Sequence, residues 1–291
     1  MVAIREGRGV SGRHVLTVVA PSATLAGLVR TVVGTDALVG PEAEIETQVR
    51  GSSGFLRGEF VAGSEALAAL ERDLAVFSAA HRAVRWTVHR HDRRPRILVL
   101  CSQQGHVLTH LLSRHEDGVL GGEIAAVLSN HDRHAAKVRA HALKFVHIGW
   151  WAQDKQAAER ELLALVREYQ VDLVVLARFM QVLSGSLCDE LAGRILNVHH
   201  SLLPAFVGGR AYHQAHDRGV RLVGATAHFV TAGVDEGPIL VQKAVPVGPG
   251  ASSPGALAEA GRDAEMLALA EAIRLLCAGR VMPHRDHPVI F

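Results

Sequence analysis

The strongest constraint on the fold is a regular alternation of short apolar runs and helical segments that begins near residue 97. Continuous apolar runs of this length are typical of strands that are buried on both faces. Strands are predicted at 97–101, 124–128, 145–148, 171–176, 195–198 and 225–230. Helices are predicted at 107–112, 157–169 and 256–277. The alternation predicts an α/β domain in which helices cover both faces of a mostly parallel sheet.

The residues before this region follow a different order. The predicted elements are a strand at 15–20, a helix at 25–33, strands at 44–50 and 55–61, a helix at 64–80 and a strand at 84–88. A turn at 51–54 joins the middle two strands into a hairpin. The order βαββαβ matches the ferredoxin-like, split βαβ plan.

A charged run that contains a proline, residues 91–96, separates the two patterns. Such a run is typical of a short exposed linker. We therefore expect two domains, residues 1–92 and 93–291. Hydrophobic residues make up 48% of the chain and aromatic residues only 4%, so each core should consist mainly of Ala, Val and Leu.

The composition also bears on partners and compartment. The formal net charge of +2 gives no strong electrostatic reason to expect nucleic acid or a membrane as a partner. The first ten residues carry charges and glycines and no apolar targeting segment. Three widely spaced cysteines do not form a disulfide framework. These features predict a cytoplasmic protein.

The 18 histidines raise the question of a metal site. Pairs such as His131 and His134 are only loosely spaced, no cysteine lies near them, and there is no H-E-x-x-H sequence. Most of these histidines fit solvated surface positions. The sequence therefore predicts no metal.

Residues 197–204, Asn-Val-His-His-Ser-Leu-Leu-Pro, lie where a predicted strand ends. In open α/β sheets, active sites gather at the carboxyl ends of strands. Asn197 offers an amide donor, and His199, two residues later on an extended backbone, points to the same side. Together they are suited to activating a carbonyl group. Alone, an asparagine such as Asn197 is more often a turn or cap residue than a catalytic one.

A second polar segment, residues 231–238, follows the predicted strand at 225–230. This glycine-bearing loop could bring Asp235 to the imidazole of His199. A carboxylate beside a histidine favours the protonated ring and fixes its orientation. Without that neighbour, Asp235 is an ordinary turn acid.

Four segments carry a resemblance to a known family: residues 197–206 (Asn-Val-His-His-Ser-Leu-Leu-Pro-Ala-Phe), 212–215 (Tyr-His-Gln-Ala), 218–230 and 235–239 (Asp-Glu-Gly-Pro-Ile). Through them, residues 96–291 resemble the folate-dependent formyltransferase/hydrolase family. The resemblance implies a Rossmann-like catalytic domain in which Asn197, His199 and Asp235 are catalytic. It also implies 10-formyltetrahydrofolate as substrate and tetrahydrofolate as product, with no metal and no tightly bound cofactor.

The resemblance also implies a folate pocket, formed largely through backbone groups. Its residues are Arg178, Phe179, Met180, Gln181, Val182 and Leu183, with Thr231 and Val234 in the loop that ends at Asp235. Without the resemblance, the apolar members of this set would be assigned to an ordinary core.

The nucleophile separates the hydrolases of this family from its transferases. Members that formylate an amine on a sugar phosphate have a Gly/Ser/Asn-rich turn after the first strand, which cradles the phosphate. Residues 101–108 contain one glycine and no such run. The resemblance therefore favours hydrolysis, in which water attacks and formate is released. We expect His106 to close the acceptor cavity to all but water, with His200 as a further residue of that cavity.

Two alternatives stay open from the sequence. One is a folate-dependent transferase of a formyl or other one-carbon group to a specialised acceptor. The other is a folate-binding paralogue without turnover.

The N-terminal block resembles the small regulatory ACT domain. That domain binds an amino acid at a strand-to-helix turn of Asp-Arg-Pro-Gly type, whereas residues 21–27 here read Pro-Ser-Ala-Thr-Leu-Ala-Gly. The change puts amino-acid regulation in doubt. The family implies a homo-oligomer, formed through the N-terminal domains or a sheet edge.

Overall fold

The computed structural model describes residues 12–35, 43–90, 93–149, 151–248, 253–282, 284 and 287–291. Two compact units divide the chain, the first ending at Arg93 and the second running from Arg94 to Ile290. His91 and Asp92 of the predicted linker lie outside the described residues. The domain boundary at residue 92 stays a prediction.

The first unit follows the predicted βαββαβ order. Its elements are β1 (Gly12–Pro21), α1 (Leu25–Val33), β2 (Glu44–Arg50), β3 (Ser53–Ala62), α2 (Ser64–Ala80) and β4 (Arg85–Arg90). The four strands form an antiparallel sheet in the order β2-β3-β1-β4. This order confirms the ferredoxin-like plan.

One face of this sheet carries the core of the first unit. Leu16 and Val18 of β1 point to that face because strand side chains alternate, and both are fully buried. They belong to one cluster with Phe60 of β3, Leu28 of α1 and Leu70 of α2. Both helices therefore cover the same face of the sheet.

The turn that would hold an amino-acid effector is a short 3-10 segment, Ser22–Thr24, which runs directly into α1. Gly27 lies inside the helix rather than in the turn. The doubt about amino-acid regulation stays a prediction.

The second unit contains the remaining elements. They are β5 (Arg96–Cys101), α3 (His106–Glu116), β6 (Glu123–Ser129), α4 (Ala135–Ala140), β7 (Lys144–His147), α5 (Lys155–Glu168), β8 (Leu173–Ala177), α6 (Gly185–Glu190), β9 (Ile195–His199), α7 (Ala211–Asp217), β10 (Leu222–Phe229), β11 (Ile239–Pro246), α8 (Pro254–Cys277), β12 (Val281–Met282) and β13 (Val289–Ile290). The large sheet has the order β11-β10-β9-β8-β5-β6-β7. Strands β5 to β9 are parallel, whereas β10 runs antiparallel to both β9 and β11. The prediction of a mostly parallel sheet is confirmed.

Two apolar layers cover the faces of this sheet. Val99 of β5 packs in one layer with Leu108 of α3 and Leu269 of α8. Leu100, the next residue of β5, packs in the other layer with Leu162 of α5. A strand buried on both faces needs apolar residues throughout, which is why residues 97–101 form a continuous run. The cysteines Cys101, Cys188 and Cys277 are buried.

Sequence patterns did not predict the helices α4, α6 and α7 or the strand β11. The three helices have only six or seven residues, too few for an amphipathic period to emerge. Strand β11 lies at the edge of the sheet, where its residues after Val241 alternate between exposed and half-buried. Its sequence is therefore more polar than that of a central strand.

The fold brings several loops to one edge of the sheet. Strands β5, β8 and β9 are parallel, so the residues that follow Cys101, Ala177 and His199 meet at their carboxyl ends. The antiparallel register of β10 places His228 opposite Asn197 of β9.

The loop after β10 packs too closely at Gly237 to admit a side chain. A Cβ at this position would lie 1.8 Å from the backbone carbonyl oxygen of Phe229, and the Phe229 N–H donates to the Pro238 carbonyl at 2.9 Å. We expect Gly237→Ala to lower the free energy of unfolding by about 2–3 kcal/mol, measured by urea denaturation.

The matched control is Gly185→Ala at the start of α6. There a Cβ would meet only the Ala232 Cβ, at an ordinary 3.6 Å. We expect a change within about 0.5 kcal/mol. Equal losses of stability in both variants would contradict the proposed clash.

Candidate active site

A first cavity of about 260 Å³ lies at the carboxyl ends of β8 and β9. It is lined by Asn197, His199, His200, Asp235, Arg178, Phe179, Met180, Gln181, Val182, Leu183, Thr231 and Val234. The structure therefore brings the predicted catalytic and folate-binding residues together. His106 does not line this cavity. It lines a second cavity of about 720 Å³, to which Arg178, His200 and Gly209 also belong.

Asn197 and His199 lie on β9, and Asp235 reaches them from the loop after β10. The distance between His199 Nδ1 and Asp235 Oδ2 is 3.0 Å. The backbone at Asp235 is left-handed, with a φ of +58°. Aspartate tolerates this conformation better than most residues, and the turn aims its carboxylate back at the strand.

Both ring nitrogens of His199 face oxygen acceptors. Nδ1 faces the Asp235 carboxylate, and Nε2 lies 3.0 Å from the Phe206 carbonyl oxygen. Neither oxygen can donate, so only the doubly protonated ring makes both hydrogen bonds. The arrangement is suited to an imidazolium beside a carboxylate.

The Asp235 carboxylate has two further neighbours. Its Oδ1 lies 3.6 Å from His228 Nε2, and its Oδ2 accepts from the Gly208 N–H at 3.3 Å. Burial raises the pKa of Asp235, but the His199 hydrogen bond and the nearby His228 ring outweigh burial and hold the pKa well below its usual range. The carboxylate is therefore ionised at neutral pH.

His228 is a residue of this site that the sequence analysis missed. It is 1% exposed, and its Nδ1 donates to the Phe229 carbonyl oxygen at 2.8 Å. Its Nε2 lies 3.2 Å from Asn197 Nδ2. His228 thus links the amide to the carboxylate. A prediction that β9 pairs antiparallel with β10 would have placed His228 opposite Asn197.

The apolar residues of the first cavity divide into two groups. Phe179 and Leu183 are buried and belong to a core layer, and Phe179 packs edge-on against Trp151 with ring centroids 5.0 Å apart. The neighbouring Trp150 lies outside the described residues. Met180, Val182 and Val234 are more than half exposed. These three side chains form an apolar mouth of the first cavity and do not belong to the packed core.

The loop after β5 holds residues 178–183 in place. Ser102 Oγ accepts a hydrogen bond from the Met180 N–H at 3.1 Å, and Arg178 Nε donates to Gln104 Oε1 at 2.9 Å. The loop itself is braced by His134, whose Nε2 donates to the Gln103 carbonyl oxygen at 3.1 Å. The two loops at the sheet edge are therefore fixed to each other.

His200 lies in the wall between the two cavities and is 6% exposed. Burial, and the nearby charges of Arg178 and His199, lower the pKa of His200 to about 4. The ring is therefore neutral at physiological pH.

The described residues contain no group of three or more His, Cys, Asp or Glu side chains arranged to hold a metal ion. The described helices also include none that is both long enough and apolar enough to cross a lipid bilayer. The expectation that no metal takes part stays a prediction.

Comparison with known proteins shows extensive similarity. Residues 95–273 match the protein family described as Formyl transferase. A curated relative, the formyltetrahydrofolate deformylase of Corynebacterium sp. (strain P-1), is 40% identical over 96% of this chain and 98% of its own length. The formyltetrahydrofolate deformylase of Synechocystis sp. is 39% identical over 71% of this chain and 72% of its own length.

Solved structures give the same relationship. The formyltetrahydrofolate deformylase of Burkholderia mallei matches with a TM-score of 0.81 and 35% identity, over 96% of this chain and 99% of that one. Glycinamide ribonucleotide transformylase 1 of Symbiobacterium toebii matches with a TM-score of 0.65 and 36% identity, over 70% of this chain and 96% of that one. The transformylase match thus covers 70% of this chain, whereas the deformylase match covers nearly all of it.

The ionised state of Asp235 predicts a pH dependence of stability. Folding lowers the pKa of Asp235. The ionised carboxylate therefore stabilises the fold at pH values above the ordinary carboxyl pKa of about 4, and this stabilisation is lost as the pH falls below that value. We expect the free energy of unfolding to fall more steeply between about pH 5 and pH 3 in the wild type than in Asp235→Asn. Urea titrations at constant ionic strength measure both curves, and parallel curves would contradict the assignment.

Proposed function

The chain belongs to the formyl transferase family and, within it, to the formyltetrahydrofolate deformylases, and from this membership we propose how its site hydrolyses 10-formyltetrahydrofolate to formate and tetrahydrofolate. The observation that carries the proposal is the contact of 3.0 Å between His199 and Asp235 inside the first cavity. Asn197 lines the same cavity and supplies the third polar group.

The first cavity holds the reduced pterin. Backbone groups of residues 178–183 and of the loop from Thr231 to Asp235 offer donors and acceptors for the ring, and both segments line the cavity. Met180, Val182 and Val234 form an apolar mouth against which the aromatic part of the folate packs. This arrangement directs the formyl group toward β9.

Water attacks the formyl carbon, and negative charge develops on the formyl oxygen. Asn197 Nδ2 and the imidazolium of His199 donate to this oxyanion, each good donor lowering the barrier by about 3–4 kcal/mol. In the free protein, His199 Nε2 donates to the Phe206 carbonyl oxygen. During the reaction the oxyanion therefore takes the place of the Phe206 carbonyl oxygen as acceptor, or shares the His199 N–H with it.

Asp235 serves the proton transfers. Its ionised carboxylate orients the attacking water and accepts a proton from it. Its contact with His199 keeps the imidazolium in place. The tetrahedral intermediate then collapses, the bond from carbon to N10 breaks, and N10 takes up a proton as it leaves. His228 and Gly208 keep the carboxylate in place during these steps.

Several contacts support water as the acceptor. The loop after β5 contains a single glycine, Gly105, and a Cβ there would lie 2.5 Å from a His134 ring carbon. His106, the next residue, is held by Glu265 with 2.8 Å between His106 Nε2 and a carboxylate oxygen. His134 and Glu265 therefore hold this loop, which lacks the Gly/Ser/Asn-rich run of a phosphate cradle.

The protein's surroundings complete the proposal. We place it in the cytoplasm as a homo-oligomer that works without a metal and without a tightly bound cofactor. No nucleic acid or membrane partner is required by this chemistry.

The first test measures product formation without any acceptor. Purified protein mixed with 10-formyltetrahydrofolate in amine-free buffer should release formate and tetrahydrofolate in equal amounts. Release that depends on an added amine would favour a transferase, and tight folate binding without release would favour a non-catalytic paralogue.

A second test separates binding from chemistry at Asp235. We expect Asp235→Asn to lower kcat at least about a hundredfold, because the charge acts in the reaction step, while folate affinity changes less than about threefold. The matched control is Asp217→Asn, an exposed residue outside the first cavity, which should keep the wild-type kcat. An equal collapse of binding and kcat in Asp235→Asn would refute the role.

A further inference from the structure

The two cavities share a wall. Arg178, His200 and Gly209 line both the first cavity and the second cavity. On the proposed function, the formyl carbon lies in the first cavity beside His199. Residues of the shared wall therefore lie between the site of the reaction and the second cavity.

Arg178 is held in this wall against its backbone preference. Its φ is +61°, in the left-handed region, which glycine adopts freely and other residues adopt only at a cost. The residue is 7% exposed although it carries a charge. A charged side chain kept at a strained and buried position points to a functional role for its guanidinium.

The guanidinium is anchored through one nitrogen. Arg178 Nε donates to Gln104 Oε1 at 2.9 Å and lies 3.4 Å from Glu265 Oε2. Glu265 is fixed in turn by the Tyr212 hydroxyl and His106 Nε2, each at 2.8 Å. Burial raises the pKa of Glu265, but the His106 hydrogen bond and the Arg178 charge outweigh it and lower the pKa. The anchor is therefore an ionised carboxylate.

The two Nη nitrogens of Arg178 are not used by this anchor. Within the described ranges neither has a hydrogen-bond partner, and neither is sealed off from solvent. Their outer edge presents two parallel N–H donors, a fork that matches the two oxygens of a carboxylate. The geometry of this edge therefore suits a carboxylate.

The second cavity favours anions. Arg133, Arg210 and Arg262 line its outer part, and Glu265 is the one carboxylate that the described lining contains. Arg262 also makes a loose, exposed pair with Glu259, at 3.8 Å. The helices α3 and α8 both begin at this cavity, and helix N-termini carry partial positive charge. The first cavity, by contrast, contains the ionised Asp235.

We propose that the Nη edge of Arg178 binds formate as it is produced and that the second cavity is the path by which formate leaves. This inference rests on the proposed function. Water gives its oxygen to the formyl carbon, the bond to N10 breaks, one proton goes to N10 and the other to solvent, and formate remains as a monoanion. Asp235 repels this anion, whereas Arg178 and the outer arginines attract it.

The test uses Arg178→Gly in the full chain. Glycine suits the left-handed backbone, so the peptide groups of the first cavity keep their positions while the guanidinium is lost. Binding of 13C-labelled sodium formate is followed by NMR line broadening, with sodium chloride at equal ionic strength as the reference. We expect the apparent formate Kd to rise at least about tenfold.

Two further variants sharpen the result. Arg178→Lys keeps the charge but loses the fork, so its formate affinity should fall between those of the wild type and Arg178→Gly. Arg160→Gln, on the exposed side of α5 and outside both cavities, should bind formate as the wild type does. If Arg178→Gly does not fold, Arg178→Gln takes its place, with the same loss expected.

The outcomes separate this inference from the proposed function. Unchanged formate affinity in a folded Arg178→Gly or Arg178→Gln protein overturns the proposed formate site, even if hydrolysis is normal. Formate binding that depends on Arg178, in a protein that releases no formate from 10-formyltetrahydrofolate, overturns the proposed function instead. Product inhibition by formate that weakens in parallel with binding supports both.

Discussion

The arrangement of the site depends on one largely buried carboxylate, 10% exposed, that must be paired. Asp235 lies on a left-handed turn, and its two oxygens contact imidazoles of adjacent antiparallel strands, His199 and His228. A buried charge without partners is costly, so these contacts fix the loop after β10 as well as the rings. The same pairing keeps the carboxylate ionised. Positioning and chemistry therefore have a common origin.

Much of this was readable from the sequence. The period-two alternation of a strand placed Asn197 and His199 on one side, and the structure confirms that both line one cavity. Continuous apolar runs predicted the buried strands because a sheet covered on both faces excludes polar residues. The βαββαβ order of the first unit followed from turns and helical spacing alone. These are local signals, and local signals are what a single sequence carries.

The features that the sequence did not predict depend on non-local geometry. His228 belongs to the site only because β10 pairs antiparallel with β9, opposite Asn197. Glu265 lies 87 residues after Arg178 (265 − 178) and meets it only once α8 has packed on the sheet. The sequence predicts Arg178 as part of the folate pocket through its backbone groups only. Nothing in the neighbouring sequence indicates its left-handed conformation. Pairing register, helix docking and backbone strain all require the folded chain.

The shared wall at Arg178 has a consequence for the catalytic cycle. One side of it faces a mouth lined by exposed apolar side chains, and the other faces exposed arginines. With formate leaving through the second cavity, as proposed, the two products have separate exits. Tetrahydrofolate and formate then do not have to wait for each other to leave. Separate exits permit release of the two products in either order. Substrate can then enter through the apolar mouth of the first cavity as formate leaves through the second cavity.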